Sequence, residues 1–328
     1  MKIDLHIHTK ESDGLLTKSE LIDLAAQQEV EVISFTDHNC YKDNEELGEV
    51  ARQKGIRIID GIEFSAEFNN QEIHVLAYNF DRLGDHLEDF CNKYAELKTD
   101  QTKRRCEESI KHPLIAPGGE EISVSFEELC AFKKEGIFFW NEIGYLLADK
   151  YNSLNYSPLM KYNDANYLLN GHLDTGQKFQ SSFRNLEKGK RLWHSPYDSY
   201  YINAEHLIYL IKDARGLSCL AHPGEQRLER ETIYELRRFG LDALEVYTPK
   251  NTGLFPHYRK IADEFGLYIS GGTDFHYFDD KHQLGLILMP EGKEKFNESD
   301  FFPITADKIT LLERLFCSMG QSSGREKY

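Results

Sequence analysis

The sequence predicts an α/β fold of parallel strands with helices outside, curling towards a barrel and split by a helical insertion. Two observations carry this. Short apolar strands alternate with amphipathic helices over residues 1–81 and again over 203–328, and such alternation implies parallel strands joined by right-handed crossovers. The segment 82–202 breaks the alternation: it is charged and helical in pattern, then irregular.

The elements follow in order. From Lys2 to Thr9, Ile3, Leu5 and Ile7 alternate with Asp4, His6 and His8, a period of two that sends the two sets to opposite faces of a strand. After the polar turn Glu11-Ser-Asp-Gly14, Thr17-Lys-Ser-Glu20 reads as a capping box, with Leu21, Leu24 and Ala25 following at helical spacing. Val32–His38 is a strand, Glu45–Lys54 a helix ending at Gly55, Ile56–Phe64 a third strand and Gln71–Asn79 a fourth. Helical patterns cover Leu87–Ile110 and Phe126–Lys150, and Asn152–Tyr201 is irregular, rich in Asn, Tyr, Ser and Gly. Asn203 is an N-cap for a helix carrying Leu207, Ile208, Leu210 and Ile211 and stopping at Gly216. Strands return at Leu217–Ala221, Ala243–Tyr247 and Leu267–Gly271.

The composition sets limits on function. The chain has 328 residues and a formal net charge of -16, from 39 Lys+Arg against 55 Asp+Glu. That balance opposes a protein holding long duplex nucleic acid by surface charge, so no stable duplex binding is expected. Hydrophobic residues make up 40%, enough for a core. No apolar run nears the ~18 residues of a membrane span, and Met1-Lys2 leads into a strand with no apolar leader segment. The six cysteines are scattered without a C-x-x-C pair, the usage of a reducing compartment, so a cytoplasmic location is expected and Cys40 is read as a bystander.

Chemistry concentrates at strand ends. Of 13 histidines, six (His6, His8, His38, His74, His222 and His276) fall at predicted strand C-termini, in company with Asp13, Glu63 and Asp274. A single H-x-H is expected roughly 0.5 times by chance in such a chain. Its placement on one strand face, at the end where barrels carry catalytic groups, gives it weight. Six imidazoles and three carboxylates around one mouth have a physical reason only if they share cations, because desolvated acids are otherwise costly. Imidazole with carboxylate suits Zn, Mn or Fe, and no thiolate enters the set.

Taken in order, Asp4-Leu-His-Ile-His-Thr9, Ser12-Asp-Gly14, Thr36-Asp-His-Asn39, Gly61-Ile-Glu63, the lone His74, Ala221-His-Pro223 and Gly272-Thr-Asp-Phe-His276 resemble the motif series of the PHP (polymerase and histidinol phosphatase) superfamily of metal-dependent phosphoesterases. The resemblance covers residues 1–80 and 204–290. It implies a distorted seven-stranded (β/α) barrel holding two to three divalent metal ions, drawn from Mn, Zn, Fe and Mg. It implies a first ion on His6, His8, Glu63 and Asp274; a second reached by Glu63 as a bridge and held by His74 and His222; and a third on Asp13, His38 and His276. The chemistry that follows is hydrolysis by a metal-bridging hydroxide on a small phosphorylated substrate, nucleotide-like or a short oligonucleotide, with no protein nucleophile. Three divalent ions would make the mouth cationic within an acidic chain.

On the substrate side, the resemblance is nearest to the branch acting on nucleotide phosphodiesters and 3',5'-bisphosphates. Phe139-Trp-Asn-Glu142 stands where that branch shows R-P-H, whereas Leu192-Trp-His-Ser195 keeps a histidine. Arg184, Lys188, Lys190, Arg191 and His194 form a basic run suited to a second phosphate, and Arg227 is a further candidate. His194 and Asp37 are expected to assist catalysis, Asp37 by orienting a ligand histidine, and Glu245 is similar. Gly171–Lys178 only imitates a P-loop, since Gln177 replaces its lysine. Two rival readings are an amidohydrolase-type barrel cleaving C–N or C–O bonds and a non-catalytic metal-binding PHP domain. The first would bridge its metals with a carboxylated lysine where this chain offers Glu63. The second would tolerate missing ligands, and none is missing.

Overall fold

A computed structural model describes residues 1–156, 159–160, 200–277, 283–288 and 301–322. The chain divides into two compact units, Met1–Asn92 with Tyr200–Tyr328, and Lys93–Ser199.

The first unit is built on β1 (Lys2–Ile7), β2 (Val30–Phe35), β3 (Arg57–Phe68), β4 (Gln71–Tyr78), the short β7 (Ile202–Asn203), β8 (Leu217–Leu220), β9 (Ala243–Tyr247) and β10 (Tyr268–Gly271). These form one eight-stranded sheet ordered β1-β2-β3-β4-β8-β9-β10, with β7 paired to β3. Helices α1 (Lys18–Gln27) and α2 (Glu45–Gln53) follow the first two strands. Thr17 and Glu20 close the expected capping box on α1. Leu21, Ile22 and Ala25 of α1 and Ala51 of α2 pack with Ile7, Val30, Ile33 and Phe35, forming the layer between helices and sheet. The apolar residues of β1 serve the core this way, and the strand's alternate positions, Asp4 and His6, are equally buried, so both faces of the sheet are covered, as in parallel sheets generally.

One strand departs from the parallel expectation. β4 runs antiparallel to both β3 and β8, whereas β1-β2, β2-β3, β8-β9 and β9-β10 are parallel. The cause is local: Asn69 and Asn70 both take left-handed backbone (φ 53° and 61°), the geometry of a type I′ hairpin turn. A two-residue connection cannot make a parallel crossover. At the sheet ends, β1 and β10 do not share a ladder. The chain just beyond them meets at one parallel bridge, Ile7 with Phe275, where His8 N–H donates to Phe275 O at 2.8 Å and Phe275 N–H to His6 O at 3.3 Å.

Asp4 anchors that meeting. Its carboxylate accepts from His6 N (3.2 Å), Thr273 N (2.9 Å), Thr273 Oγ1 (2.5 Å) and Gly285 N (2.9 Å). Burial nevertheless pushes its pKa up to about 6, the four donors only partly offsetting the desolvation. Beyond lie α6 (Ala204–Asp213), capped by Asn203 as expected, then α7 (Arg230–Phe239) and α8 (Phe255–Phe265). The β11 (Leu286–Leu288) and β12 (Phe301–Pro303) pair and α9 (Leu311–Ser322) complete the unit.

The second unit contains most of α3 (Asp85–Lys111), the pair β5 (Leu114–Ile115) and β6 (Glu121–Ile122), α4 (Phe126–Phe132) and α5 (Asn141–Ser153). Its core gathers Cys106, Leu114, Ile122, Val124, Leu129, Ile143, Leu147 and Tyr151. The single helix expected over 126–150 is two helices, because Lys133 leaves α4 in extended backbone and Gly136 takes φ 91°. Lys133 then turns inward to a buried ion pair with Glu142 at 2.5 Å. Among the described residues no helix is long and apolar enough to cross a membrane.

Replacing Asp4 by Ala would leave buried N–H groups on both sides of the sheet junction without their acceptor. We expect a loss on the order of 3 kcal/mol in chemical denaturation, and an unchanged midpoint would show that the junction is held by something else.

Candidate metal centre

The period of β1 sends His6 inward, and His8 follows it where the strand ends; both are fully buried. The chain then turns back on itself, Ser12 N–H and Gly14 N–H donating to Thr9 O at 3.1 and 2.9 Å, which brings Asp13 Oδ1 to 3.5 Å from His8 Nδ1. Only glycine fits at position 14: a Cβ there would lie 2.3 Å from His8 O. Asp37 builds this turn. Its carboxylate accepts from Thr9 N (2.7 Å), Thr9 Oγ1 (2.8 Å), Ser12 N (3.2 Å) and Ser12 Oγ (2.6 Å). Asp37 thus bonds to the turn carrying Asp13, and it reaches a ligand imidazole only through Ser12, whose Oγ lies 3.4 Å from His8 Nδ1.

Glu63 lies at the middle of β3 with no exposed surface. Its Oε2 faces His6 Nε2 at 3.2 Å, His8 Nε2 at 3.2 Å and His38 Nδ1 at 3.1 Å. Its Oε1 faces His74 Nδ1 at 3.1 Å and His222 Nε2 at 3.0 Å. His38 is delivered by the loop after β2, which runs on as a bridge to Glu63. Asn39 locks it there: its N–H donates to Glu63 O (2.8 Å), its side chain donates to Ser65 Oγ (3.0 Å) and its Oδ1 accepts from Ser65 N (2.9 Å). His74 comes from the antiparallel β4, so the hairpin that breaks the parallel pattern also supplies a donor.

Asp274 Oδ1 completes the group on the β10 side, 3.4 Å from His6 Nε2 and 3.1 Å from His8 Nε2. His276 Nε2 reaches Asp13 Oδ2 at 3.3 Å, and its ring stacks on His8 with centroids 4.1 Å apart. The chain passes so near β1 that a Cβ on Gly272 would lie 2.3 Å from His6 Cβ. Asp274 and His222 hold left-handed backbone at φ 53° and 23°, conformations that non-glycine residues adopt at a cost and that gather at functional sites. Glu245 on β9 supports two donors at once, its Oε1 facing His6 Nδ1 at 3.0 Å and its Oε2 accepting from His222 N at 2.8 Å.

The electrostatics are those of mutual compensation. Burial would raise the Glu63 carboxyl, but the surrounding imidazoles, His6 foremost, hold it well below the ordinary range. Asp274 and Asp13 behave alike, burial being overridden by His6 for the first and by His276 for the second. Burial would lower His8, yet the Asp274 and Glu63 carboxylates beside its Nε2 lift it to about 10. His74 rises to about 10 through Glu63 and Glu72, against burial. His38 goes the other way, burial taking it down to about 3.

Three groups bring donor atoms within 4.8 Å of one another: His6, His8, Glu63 and Asp274; His8, Asp13, His38 and His276; and His38, Glu63 and His74. His6 Nε2, His8 Nε2 and Glu63 Oε2 are buried donor or acceptor atoms without a hydrogen bond of acceptable geometry, yet they point at one another. Natural interiors seldom leave such atoms orphaned. A divalent cation between them would use each one, and Glu245 behind His6 is the carboxylate–imidazole support that metal ligands usually carry. The donor set fits the expected ions.

All nine expected ligand residues thus converge. Arg227 does not: it is exposed, on a left-handed turn. Arg184, Lys188, Lys190, Arg191 and His194 lie outside the described residues. Sequence reasoning missed Glu225 and Lys250. Glu225 Oε2 is 3.2 Å from His222 Nδ1, and Lys250 Nζ is 2.6 Å from Glu225 Oε1. Glu225, three residues past His222, was legible as an i, i+3 neighbour, whereas nothing near Lys250 in the sequence signals a site.

Two outcomes are expected. Glu245→Gln should weaken metal affinity by roughly 10–100-fold, measured by competition with a chelating dye. In metal-free protein the raised His8 and His74 stabilise the fold fully below about pH 6.5, and this contribution fades as pH rises towards about 10. Metal uptake displaces those protons and so strengthens with pH. The gap in melting temperature between metal-loaded and chelator-treated protein should therefore widen from pH 6.5 to 9, and a constant gap would contradict the assignment.

The chain is similar to known proteins of one domain family. The profile of the PHP domain matches residues 4–217. A 3',5'-nucleoside bisphosphate phosphatase from Chromobacterium violaceum is 26% identical over 84% of this chain and 87% of its own length. A 5'-3' exoribonuclease from Haemophilus influenzae is 28% identical over 84% and 90%. A phosphoribosyl 1,2-cyclic phosphate 1,2-diphosphodiesterase from Eggerthella lenta is 24% identical over 83% and 93%. Among solved structures, an amidohydrolase from Chromobacterium violaceum with bound sulfate superposes with a TM-score of 0.68 at 20% identity, covering 97% of this chain and 96% of that one. With its motifs in order, its donors gathered on Glu63 and its sequence matched from residue 4 to 217, the chain belongs to the PHP domain family.

Proposed function

We propose that this protein is a metal-dependent phosphoesterase acting on a small, nucleotide-like phosphate ester at the centre around Glu63. The observation that carries the reading is the buried carboxylate shared by five imidazoles, His6, His8, His38, His74 and His222. In this reading His6, His8, Glu63 and Asp274 hold one ion, Glu63, His74 and His222 a second, and Asp13, His38 and His276 a third. Such ions, when bound, supply Lewis acidity towards phosphoryl oxygens and a water activated near neutral pH, including a hydroxide shared between two of them.

The chain's own residues do the rest. Glu63 fixes the spacing of the donors by offering one oxygen to each side. Glu245 holds His6 and the His222 backbone in place, and Asp37 holds the turn that presents Asp13. Segment 82–202 is proposed as an insertion that selects the substrate, with Arg184, Arg191 and His194 as a grip on a second phosphate. The relatives' named activities cover a bisphosphate monoester, a cyclic phosphate and RNA ends, so a short oligonucleotide belongs among the substrates to try. An amidohydrolase reading finds no lysine on β3 to be carboxylated, since Arg57–Phe68 contains none.

Protein purified without chelator should carry two to three transition-metal equivalents, and fewer than one, with no gain on adding Mn, would sink the reading. A panel of nucleoside bisphosphates, cyclic nucleotides, short oligonucleotides and histidinol phosphate should identify the ester. Glu63→Gln should lower kcat/KM on it by at least ~100-fold together with the metal content.

A further inference from the structure

We propose that Lys250 anchors the substrate, its ammonium taking a phosphoryl oxygen at the Asp274 side of the centre. The inference rests on the phosphoesterase reading above and names a residue of this chain that the family motifs do not contain.

Lys250 sits in a short 3-10 turn, Pro249–Asn251, directly after β9. That turn is clamped. Asn251 is fully buried; its side-chain amide donates to Glu245 O at 2.8 Å and Val246 O at 3.2 Å, and its Oδ1 accepts from Gly224 N at 2.8 Å. Thr252 Oγ1 closes the turn on Pro249 O at 2.7 Å. The lysine backbone is therefore tied to the strand carrying Glu245 on one side and to the loop carrying His222 on the other.

From this base Nζ reaches 3.6 Å from Asp274 Oδ2, the oxygen opposite the one that faces His6 and His8, and 2.6 Å from Glu225 Oε1. The Lys250 side chain is 38% exposed where Asp274 is 7% exposed, so the ammonium lies at the rim, between the donors and solvent. A fixed cation beside a centre built for cations would work against metal binding if it faced the ions alone. Glu225 and Asp274 offset that repulsion, and Glu225 divides its charge between Lys250 and His222 Nδ1. What the arrangement leaves favourable is a multiply charged anion bridging the ions and the ammonium. Lysine binds phosphate as a point charge, and its four-carbon stem lets it follow the oxygen without moving the clamped turn.

The test uses the full chain loaded with Mn, as wild type, Lys250→Met and Lys250→Arg. Inorganic phosphate is titrated by calorimetry, metal content is measured by mass spectrometry, and KM and kcat are taken on the best substrate of the panel. The Met variant should keep wild-type metal content, bind phosphate roughly 10–100-fold more weakly and show the change mainly in KM; the Arg variant should recover most of the affinity. Unchanged phosphate affinity at full metal content would overturn the proposal. So would a Met variant that loses metal and phosphate together without rescue by Arg, since Lys250 would then only shield Asp274. Should the Met variant fail to fold, Lys250→Gln replaces it under the same criteria. A wild type that hydrolyses nothing in the panel instead defeats the phosphoesterase reading itself, before any variant is compared.

Discussion

A carboxylate with no exposed surface, enclosed by five imidazoles, sets the terms for this fold. Left alone, Glu63 would be too costly to bury. It is tolerated because β1 and the residue just past its end bring two histidines, and the loop after β2, β4 and the loop after β8 one each, all to within 3.2 Å. Many details of the surrounding structure follow from that convergence. Asn39 fastens its loop to β3 so that His38 arrives in place. Gly272 lets the end of β10 press against His6. Glu245 takes the outward nitrogen of His6, leaving the inward one aimed at Glu63. Asp4, two positions earlier on the same strand, closes the junction that keeps Asp274 near.

The centre was largely legible in the sequence, for a physical reason. Ligands at i and i+2 of a strand must share a face, so the period of β1 alone places His6 and His8 together, and His38, His222 and Asp274 follow the ends of β2, β8 and β10, whereas Glu63 and His74 lie within β3 and the antiparallel β4. What escaped was governed by contacts distant in sequence or by turn chemistry. Asn69-Asn70 was readable as a hairpin turn, yet alternation of strands and helices argued for parallel pairing and hid it. Asp37 resembles an orienting acid in sequence, but its oxygens are used by Thr9 and Ser12, which only the folded turn brings near. Lys250 lies in an unremarkable stretch, and its meaning comes from a clamp made with Gly224. The helix expected over 126–150 breaks at Lys133 and Gly136, and the inward pairing of Lys133 with Glu142 that accompanies the break is one no periodicity reveals.

The charge balance also takes on a different meaning. A net charge of -16 suggests a molecule that repels anions, yet the donor groups are arranged to collect positive charge at one spot. Divalent ions held there would make the mouth cationic within an acidic chain, a field that would favour ligands small enough to enter it.

The junction of Asp4 with Thr273 and of Ile7 with Phe275 has a further consequence, for how the molecule is made. These contacts join residues almost the whole described sequence apart, and the donor cluster spans His6 to His276. Closing so long a loop is entropically unfavourable until many other contacts exist, and such topologies assemble slowly. A growing chain therefore displays His6 and His8 long before Glu63's last partners have been synthesised. Asp274 and His276 join the other donors only when β10 docks, so the full set of nine is gathered only once the sheet is complete.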